Sequence, residues 1–265
     1  MREFAANVGR GGIETIRKLG GMGYLLLDSF RWAFVGPWQG YRFRWKATFF
    51  QMVRVGVRSI PITALVLAVV GMILALQMAY VLKTFGVMQH VATVVGIATT
   101  RELGPLLTAI LLSGYAGAAI AAELGTMKVA EEILALETSA LNPIWFLVAP
   151  RVIATMVMIP ALTAIANMIG ILGGMLIGTA VLDMSPGFYI DRTIEALKNK
   201  DIITGLLKSE AFAIVISTIA CYQGLSVDGG AEGVGKATTS TVVNCIVSII
   251  IVDCIFTAMF YTYNL

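Results

Sequence analysis

Charge is scarce in this sequence. Asp, Glu, Lys and Arg together make 13% of the chain, where a soluble domain carries about 25%. Hydrophobic residues make 58%, and the mean hydropathy is +0.84. A water-soluble globule is excluded, and a polytopic membrane protein with a single membrane domain is the simplest reading. Histidine occurs once, as His90, so histidine-based metal sites and Ser–His catalysis have no support. No catalytic or metal-ligating residues are predicted. The three cysteines, Cys221, Cys245 and Cys254, sit in apolar sequence without CxxC spacing, as packing residues do. The first twenty residues lack both a continuous apolar core and a small-residue cleavage site, so no cleavable signal peptide is expected. A Gly-x-Gly-Asp element for intramembrane proteolysis is missing, and Ser113-Gly114 lacks the upstream glycine of a serine elbow. Gly230 to Lys236 nearly forms a nucleotide-binding loop. It is followed by Ala237 where a magnesium-binding Ser or Thr is required, and a membrane span rather than a strand precedes it. The chain is therefore expected to have no ATPase of its own, and this segment reads as a flexible turn leading into the last span.

What charge there is sits unevenly. Ten of the nineteen Lys and Arg precede Ser59, which predicts a cytoplasmic N-terminus. They alternate with Phe30, Trp32, Phe34, Trp38, Tyr41, Phe43 and Trp45. That mixture suits lipid head groups rather than nucleic acid. Residues 1–58 thus read as a cytoplasmic or interfacial amphipathic segment, with helices broken at Gly20-Gly21 and Gly36-Pro37. Residues 59–265 read as the transmembrane domain. A helix crosses a bilayer in about 20 apolar residues, and uncharged runs of that size locate five spans. Ser59–Leu82 holds 24 uncharged residues, Leu103–Ala122 holds 20, and Val152–Leu182 holds 31. Ala211–Val227 holds 17 and extends toward Ile202; the last span runs from about Ala237 to Phe260 with Asp253 inside it. Five spans place the C-terminus on the outer side. Residues 186–200 read as an outer amphipathic helix, with Tyr189, Ile190, Ile194 and Leu197 on one face.

Residues 101–151 concentrate the chemistry. Arg101-Glu102 reads as an ion pair in apolar sequence, followed by Gly104-Pro105, which interrupts helix hydrogen bonding. The pair is either an interface contact where span two starts or a polar patch in a cavity that accepts a lipid head group. In the second case Arg101 attracts phosphate, while Glu102 orients Arg101 or meets an ammonium group. The acidic segment carrying Glu123, Glu131, Glu132 and Glu137 is a surface on which a soluble partner can push. Asp253 is either hydrogen-bonded to a neighbouring helix or mechanistic. Gly170, Gly174 and Gly178 form a GxxxGxxxG row, for packing within one subunit or for a dimer seam.

Several segments together resemble the MlaE/YrbE permease family: Arg101-Glu102-Leu103-Gly104-Pro105, Ala121 through Met127, Ala130-Glu131-Glu132 with Ala135-Leu136-Glu137, Asn142-Pro143 and Pro150-Arg151. Cys221 through Leu225 and Gly229 through Thr239 look like its C-terminal signature. The likeness covers about residues 45 to 262. It implies an all-α membrane protein of the MlaE-type ABC permease fold, with N-terminal interfacial helices followed by five transmembrane helices. It also implies the permease subunit of an ATP-driven phospholipid transporter, working between inner and outer membranes to maintain outer-membrane lipid asymmetry. The implied setting is the bacterial inner membrane, N-terminus cytoplasmic and C-terminus periplasmic. The implied partners are a second copy of the chain, an ABC ATPase that holds the ATP and magnesium, a periplasmic ring of MCE-domain protein and a STAS-domain protein. Residues about 123–143 are then the coupling helix, with Glu123, Lys128, Glu131, Glu132 and Glu137 toward the ATPase. Gln77, Tyr80, Arg101 and Glu102 line the lipid cavity. Where the family usually has Gly-Arg-x-Gly, this chain has Gly114-Tyr115-Ala116-Gly117. The competing readings are an ATP-independent secondary transporter or channel for an amphipathic solute, with Asp253 as proton carrier, and a non-transporting assembly scaffold.

Overall fold

The structure, a computed structural model, describes residues 2–35 and 43–263. No strand occurs among them. Helix α1 (Arg2–Phe34) precedes five apolar segments long enough to cross a membrane. The first segment, Trp45–Thr84, joins α2 (Trp45–Val55) through a 3-10 turn to α3 (Ile60–Thr84). The second, Met88–Val129, holds α4 (Val91–Ala98), α5 (Gly104–Leu112) and α6 (Ala118–Val129). Short α7 (Glu132–Thr138) leads to the third, Ile144–Ala180, which contains α8 (Ala149–Ala180). Helix α9 (Pro186–Ala196) leads to the fourth, α10 (Asn199–Leu225), and α11 (Gly230–Thr262) is the fifth. Helices α7 and α9 flank opposite ends of α8 and so mark the two ends of the bundle.

Four prolines fall where helices begin: Pro61, Pro105, Pro150 and Pro186 each sit in the first two positions, where a missing N–H is harmless, whereas Pro160 lies inside α8. Three stretches widen into π turns, at Thr99–Leu103, Ser113–Gly117 and Ile144–Val148. The first immediately precedes Gly104-Pro105, and such turns often accompany functional sites.

The first apolar segment starts at Trp45 rather than at Ser59, because Arg54 and Arg58 interrupt the apolar run while the chain stays helical through α2, a 3-10 turn and α3. Helix α1 also runs through Gly20-Gly21 unbroken; a side chain at Gly21 would strike the ring of Tyr222 on α10, so that glycine serves close packing. The expected break at Gly36-Pro37, with Trp38 and Tyr41, lies outside the described residues. Gly230 to Lys236 is not a flexible turn but the start of α11, with an exposed Lys236–Glu232 pair at 2.7 Å.

The core joins spans two to five through Leu112, Leu124, Ile159, Leu162, Phe212, Ile216 and Ile249, all buried. Helix α3 lies along α8 at backbone distance. Gly71 meets Gly170, and Gly173 meets Ala68. Small residues let helices gain van der Waals contact where lipid supplies no hydrophobic drive. The row Gly170, Gly174 and Gly178 is thus spent within the subunit, since Gly174 and Gly178 receive the Tyr189 ring of α9. Tyr189 and Thr193 form the buried face of α9, whereas Ile190 and Ile194 point outward, 43% and 68% exposed, contrary to the shared face read from their spacing. Helix α10 is central and α11 peripheral, with 56% and 11% of their most apolar windows buried. Cys221 and Cys245 are buried, and Cys254 lies on the exposed side of α11.

Candidate functional site

Charged side chains meet at both ends of the bundle. At the α9 end, the π turn Thr99–Leu103 is gripped from two sides. Gly170 of α8 meets Thr99, and Gly205 of α10 meets the Thr100 carbonyl. This grip points Arg101 and Glu102 toward α10 and α11. They do not pair with each other, contrary to the reading of their adjacency. Neighbours in a helix point about 100° apart, and each finds a partner on α10. Arg101 Nη1 donates to Asp201 Oδ1 at 3.0 Å. The other Asp201 oxygen accepts the Lys198 N–H at 2.9 Å, so this 4%-exposed carboxylate is satisfied on both sides. Lys208 Nζ donates to Glu102 Oε2 at 2.5 Å and to the Thr257 hydroxyl at 2.7 Å. It also lies 3.0 Å from Asp253 Oδ1, in an ionic contact rather than a hydrogen bond. Asp253 is therefore held by the neighbouring helix rather than alone. A cavity of about 360 Å3 opens here, lined by Arg101, Glu102, Lys200, Thr204, Lys208 and Thr257 with Phe260 and Tyr261. Among the described residues, three cations (Arg101, Lys200, Lys208) and three carboxylates (Glu102, Asp201, Asp253) balance around it. Such a neutral but polarised site suits a zwitterion.

Sequence reasoning missed Lys208, which as a charged residue fell outside the uncharged run Ala211–Val227. It is 1% exposed. Asp201, Thr204 and Lys208 recur at helical spacing on one face of α10, and that was the available signal. Gln77 and Tyr80 lie on the exposed face of α3, and the structure does not bring them into this cavity.

At the α7 end, Glu123 of α6 is clamped. One of its oxygens pairs with Arg54 of α2, and the other accepts from Arg151 of α8 at 3.2 Å. Arg151 also donates to the Leu147 carbonyl, which the π turn at Ile144–Val148 presents. Just before α2, Arg44 stacks on the Phe146 ring at 3.5 Å and donates to the Phe146 carbonyl at 2.9 Å. Burial, and then the Arg151 cation, lower the Arg44 pKa from the ordinary guanidinium value. Glu123 thus braces the base of α7, while Lys128, Glu131, Glu132 and Glu137 stand exposed beyond it. Helix α7 is bracketed by left-handed backbone at Glu131 (φ 59°) and Ala140 (φ 57°), conformations that non-glycine residues adopt at a penalty. Lys128, Glu137 and Asn142 share a cavity of about 590 Å3 with Tyr24 and Asp28 of α1. No group of three potential ligands that could hold a metal ion occurs among the described residues.

Comparison with known proteins places this arrangement. A family model described as "Permease MlaE" matches residues 48–259. A probable ABC transporter permease protein of Rickettsia prowazekii is 41% identical over 211 residues, 80% of this chain and 82% of that relative. The intermembrane phospholipid transport system permease protein MlaE of Haemophilus influenzae is 33% identical over 259 residues, 97% of each chain. The chloroplastic protein TRIGALACTOSYLDIACYLGLYCEROL 1 of Arabidopsis thaliana is 36% identical over 220 residues, 83% of this chain and 63% of that relative.

Proposed function

The chain belongs to the MlaE permease family, and from that membership we propose that it is the permease subunit of an ATP-driven phospholipid transporter. It moves lipid between the inner and outer membranes and so maintains outer-membrane lipid asymmetry. The observation that carries this reading is the balanced charged cluster set into apolar spans beside a cavity. Intramembrane charge is costly and marks substrate pathways. Arg101 and Lys208 meet a head-group phosphate, and Glu102 and Asp253 meet its amine.

Hydrolysis belongs to a separate ABC subunit, which holds ATP and magnesium. Lys128, Glu131, Glu132 and Glu137 face that subunit from α7 and its approach, and Glu123 ties the lever to α2 and α8. Two copies of the chain enclose the lipid path, so that Gln77 and Tyr80 on the open face of α3 reach it in the dimer. The N-terminus is cytoplasmic and the C-terminus periplasmic, where an MCE-domain ring receives the lipid; a STAS-domain protein sits with the ATPase. The lone-proton-carrier reading of Asp253 loses its basis in the Lys208 contact.

The test is lipid transfer between liposomes by the purified complex. Arg101→Ala is expected to abolish transfer while the complex stays assembled, and vanadate but not an uncoupler is expected to stop the unaltered complex. Normal transfer by Arg101→Ala would remove the cavity role.

A further inference from the structure

A second cavity, of about 150 Å3, lies between α2 and the second span. Gln51, Arg54 and Arg58 line it from the first span, and Tyr115 and Glu123 from the second. It is separate from the cluster around Arg101. Tyr115 and Glu123 follow Arg101 by roughly 14 and 22 residues along one span, a rise on the order of 20–30 Å. The two cavities therefore open toward opposite leaflets.

Charge does not balance here. Both Glu123 oxygens are already engaged, one by Arg54 and one by Arg151. Arg58 adds a third cation, and among the described residues it has no ion-pair partner. Three guanidinium groups thus share one carboxylate within membrane-spanning helices, where an uncompensated cation seeks an anion. Gln51 is 8% exposed, and its buried Oε1 has no hydrogen-bond partner. A buried acceptor of this kind calls for a donor. Tyr115, in the π turn, is 42% exposed and stands with exposed Arg58 at the mouth. At the volume of liquid water the cavity holds about five non-hydrogen atoms. That is the size of a phosphate group, with the acyl chains left in the bilayer.

We propose that this cavity binds the head group of an anionic phosphoglyceride from the α7-side leaflet, with Arg58 on the phosphate and Gln51 accepting from a head-group hydroxyl. The excess of cations disfavours an ammonium at Gln51, because no carboxylate oxygen remains to receive it. A hydroxylated head, as in phosphatidylglycerol, satisfies both groups. The site holds a lipid between α2 and the second span and is independent of any role of the Arg101 cavity.

Nanodiscs of equal parts phosphatidylethanolamine and phosphatidylglycerol provide the test, using the full complex and native mass spectrometry of retained lipid. Wild type is expected to retain phosphatidylglycerol over phosphatidylethanolamine. In the Arg101→Ala background, which removes the other cavity's contribution, Arg58→Gln should weaken retention about tenfold or more and Arg58→Lys should keep most of it. Thermal stability is expected to rise with phosphatidylglycerol but not with soluble glycerol phosphate, which separates a lipid site from a free-phosphate site. Equal retention with and without Arg58→Gln in that background overturns the proposal. So does equal stabilisation by glycerol phosphate, or protection of Arg58 by a second copy of the chain in cross-linking.

Discussion

The two ends of the bundle solve the same problem, charge in a membrane, in opposite ways. At the α9 end Arg101 and Lys208 are each met by carboxylates, and the surrounding helices touch through glycine, with Tyr189 filling the seam. At the α7 end Arg54 and Arg151 share the single Glu123 carboxylate, with Arg58 beside them, and the short helix between the spans is held by backbone in left-handed conformation at both flanks. The difference separates a tightly packed, electrically balanced region from a loaded one. Balance suits reversible contact with a zwitterionic cargo. Imbalance and strain suit an element that a partner displaces and that returns.

The comparison can be broken most severely at Lys208. Lys208→Met leaves Glu102 and Asp253 facing each other without a cation, and because the Glu102 side chain is 38% exposed the loss falls at the lower end of the buried-pair range, about 3 kcal/mol. Thermal unfolding of the complex should show that loss, and adding Asp253→Asn should recover part of it. An unchanged midpoint would end the claim of balance. Next comes Glu123→Gln, which takes the only carboxylate from Arg54 and Arg151 and should cost about 2 kcal/mol. Transport should fall more than stability, because the base of α7 loosens.

Two smaller effects sharpen the contrast. Burial pushes the Tyr189 phenol up to about 12, and its hydroxyl has no hydrogen-bond partner. Because the folded value lies above the unfolded one near 10.0, the neutral phenol gives full stability below pH 10.0. Stability should then fall as pH rises from 10.0 toward about 12. Tyr189→Phe should remove that fall and gain up to about 1 kcal/mol at neutral pH. At the other end, Glu131→Gly relieves the left-handed residue and should gain about 0.5–1 kcal/mol. ATPase binding, measured by co-purification, should weaken, separating the strain at that position from its charge.

Much of this was legible in the sequence. Uncharged runs located the five spans, and Gly170, Gly174 and Gly178 marked the close packing. Charge misled where it was buried. Arg54 and Arg58 hid the start of the first span, and Lys208 fell outside the uncharged run that located the fourth. A charge in a one-dimensional run signals water, whereas in three dimensions Glu123 and Glu102 neutralise Arg54 and Lys208 from segments more than 60 residues away. Arg101-Glu102 was misread for the related reason that adjacency in sequence is divergence on a helix. The approach of α9 to α8 was readable in Tyr189 but not in Ile190 and Ile194, whose outward face depends on where α9 docks.

The π turns at Thr99–Leu103 and Ser113–Gly117 set a phase relation along the second span. Each holds one residue more than the α-helix would, and one residue is about 100° of rotation. Each absorbs that residue locally, so Arg101 and Glu123 keep the phase of a regular helix one residue shorter per turn. Adding one alanine within α5, as regular helix, would instead swing Glu123 by about 100° away from Arg54 and Arg151 while Arg101 stayed on Asp201. The two ends are geared together by residue count, so a single insertion there should uncouple them without altering any charge.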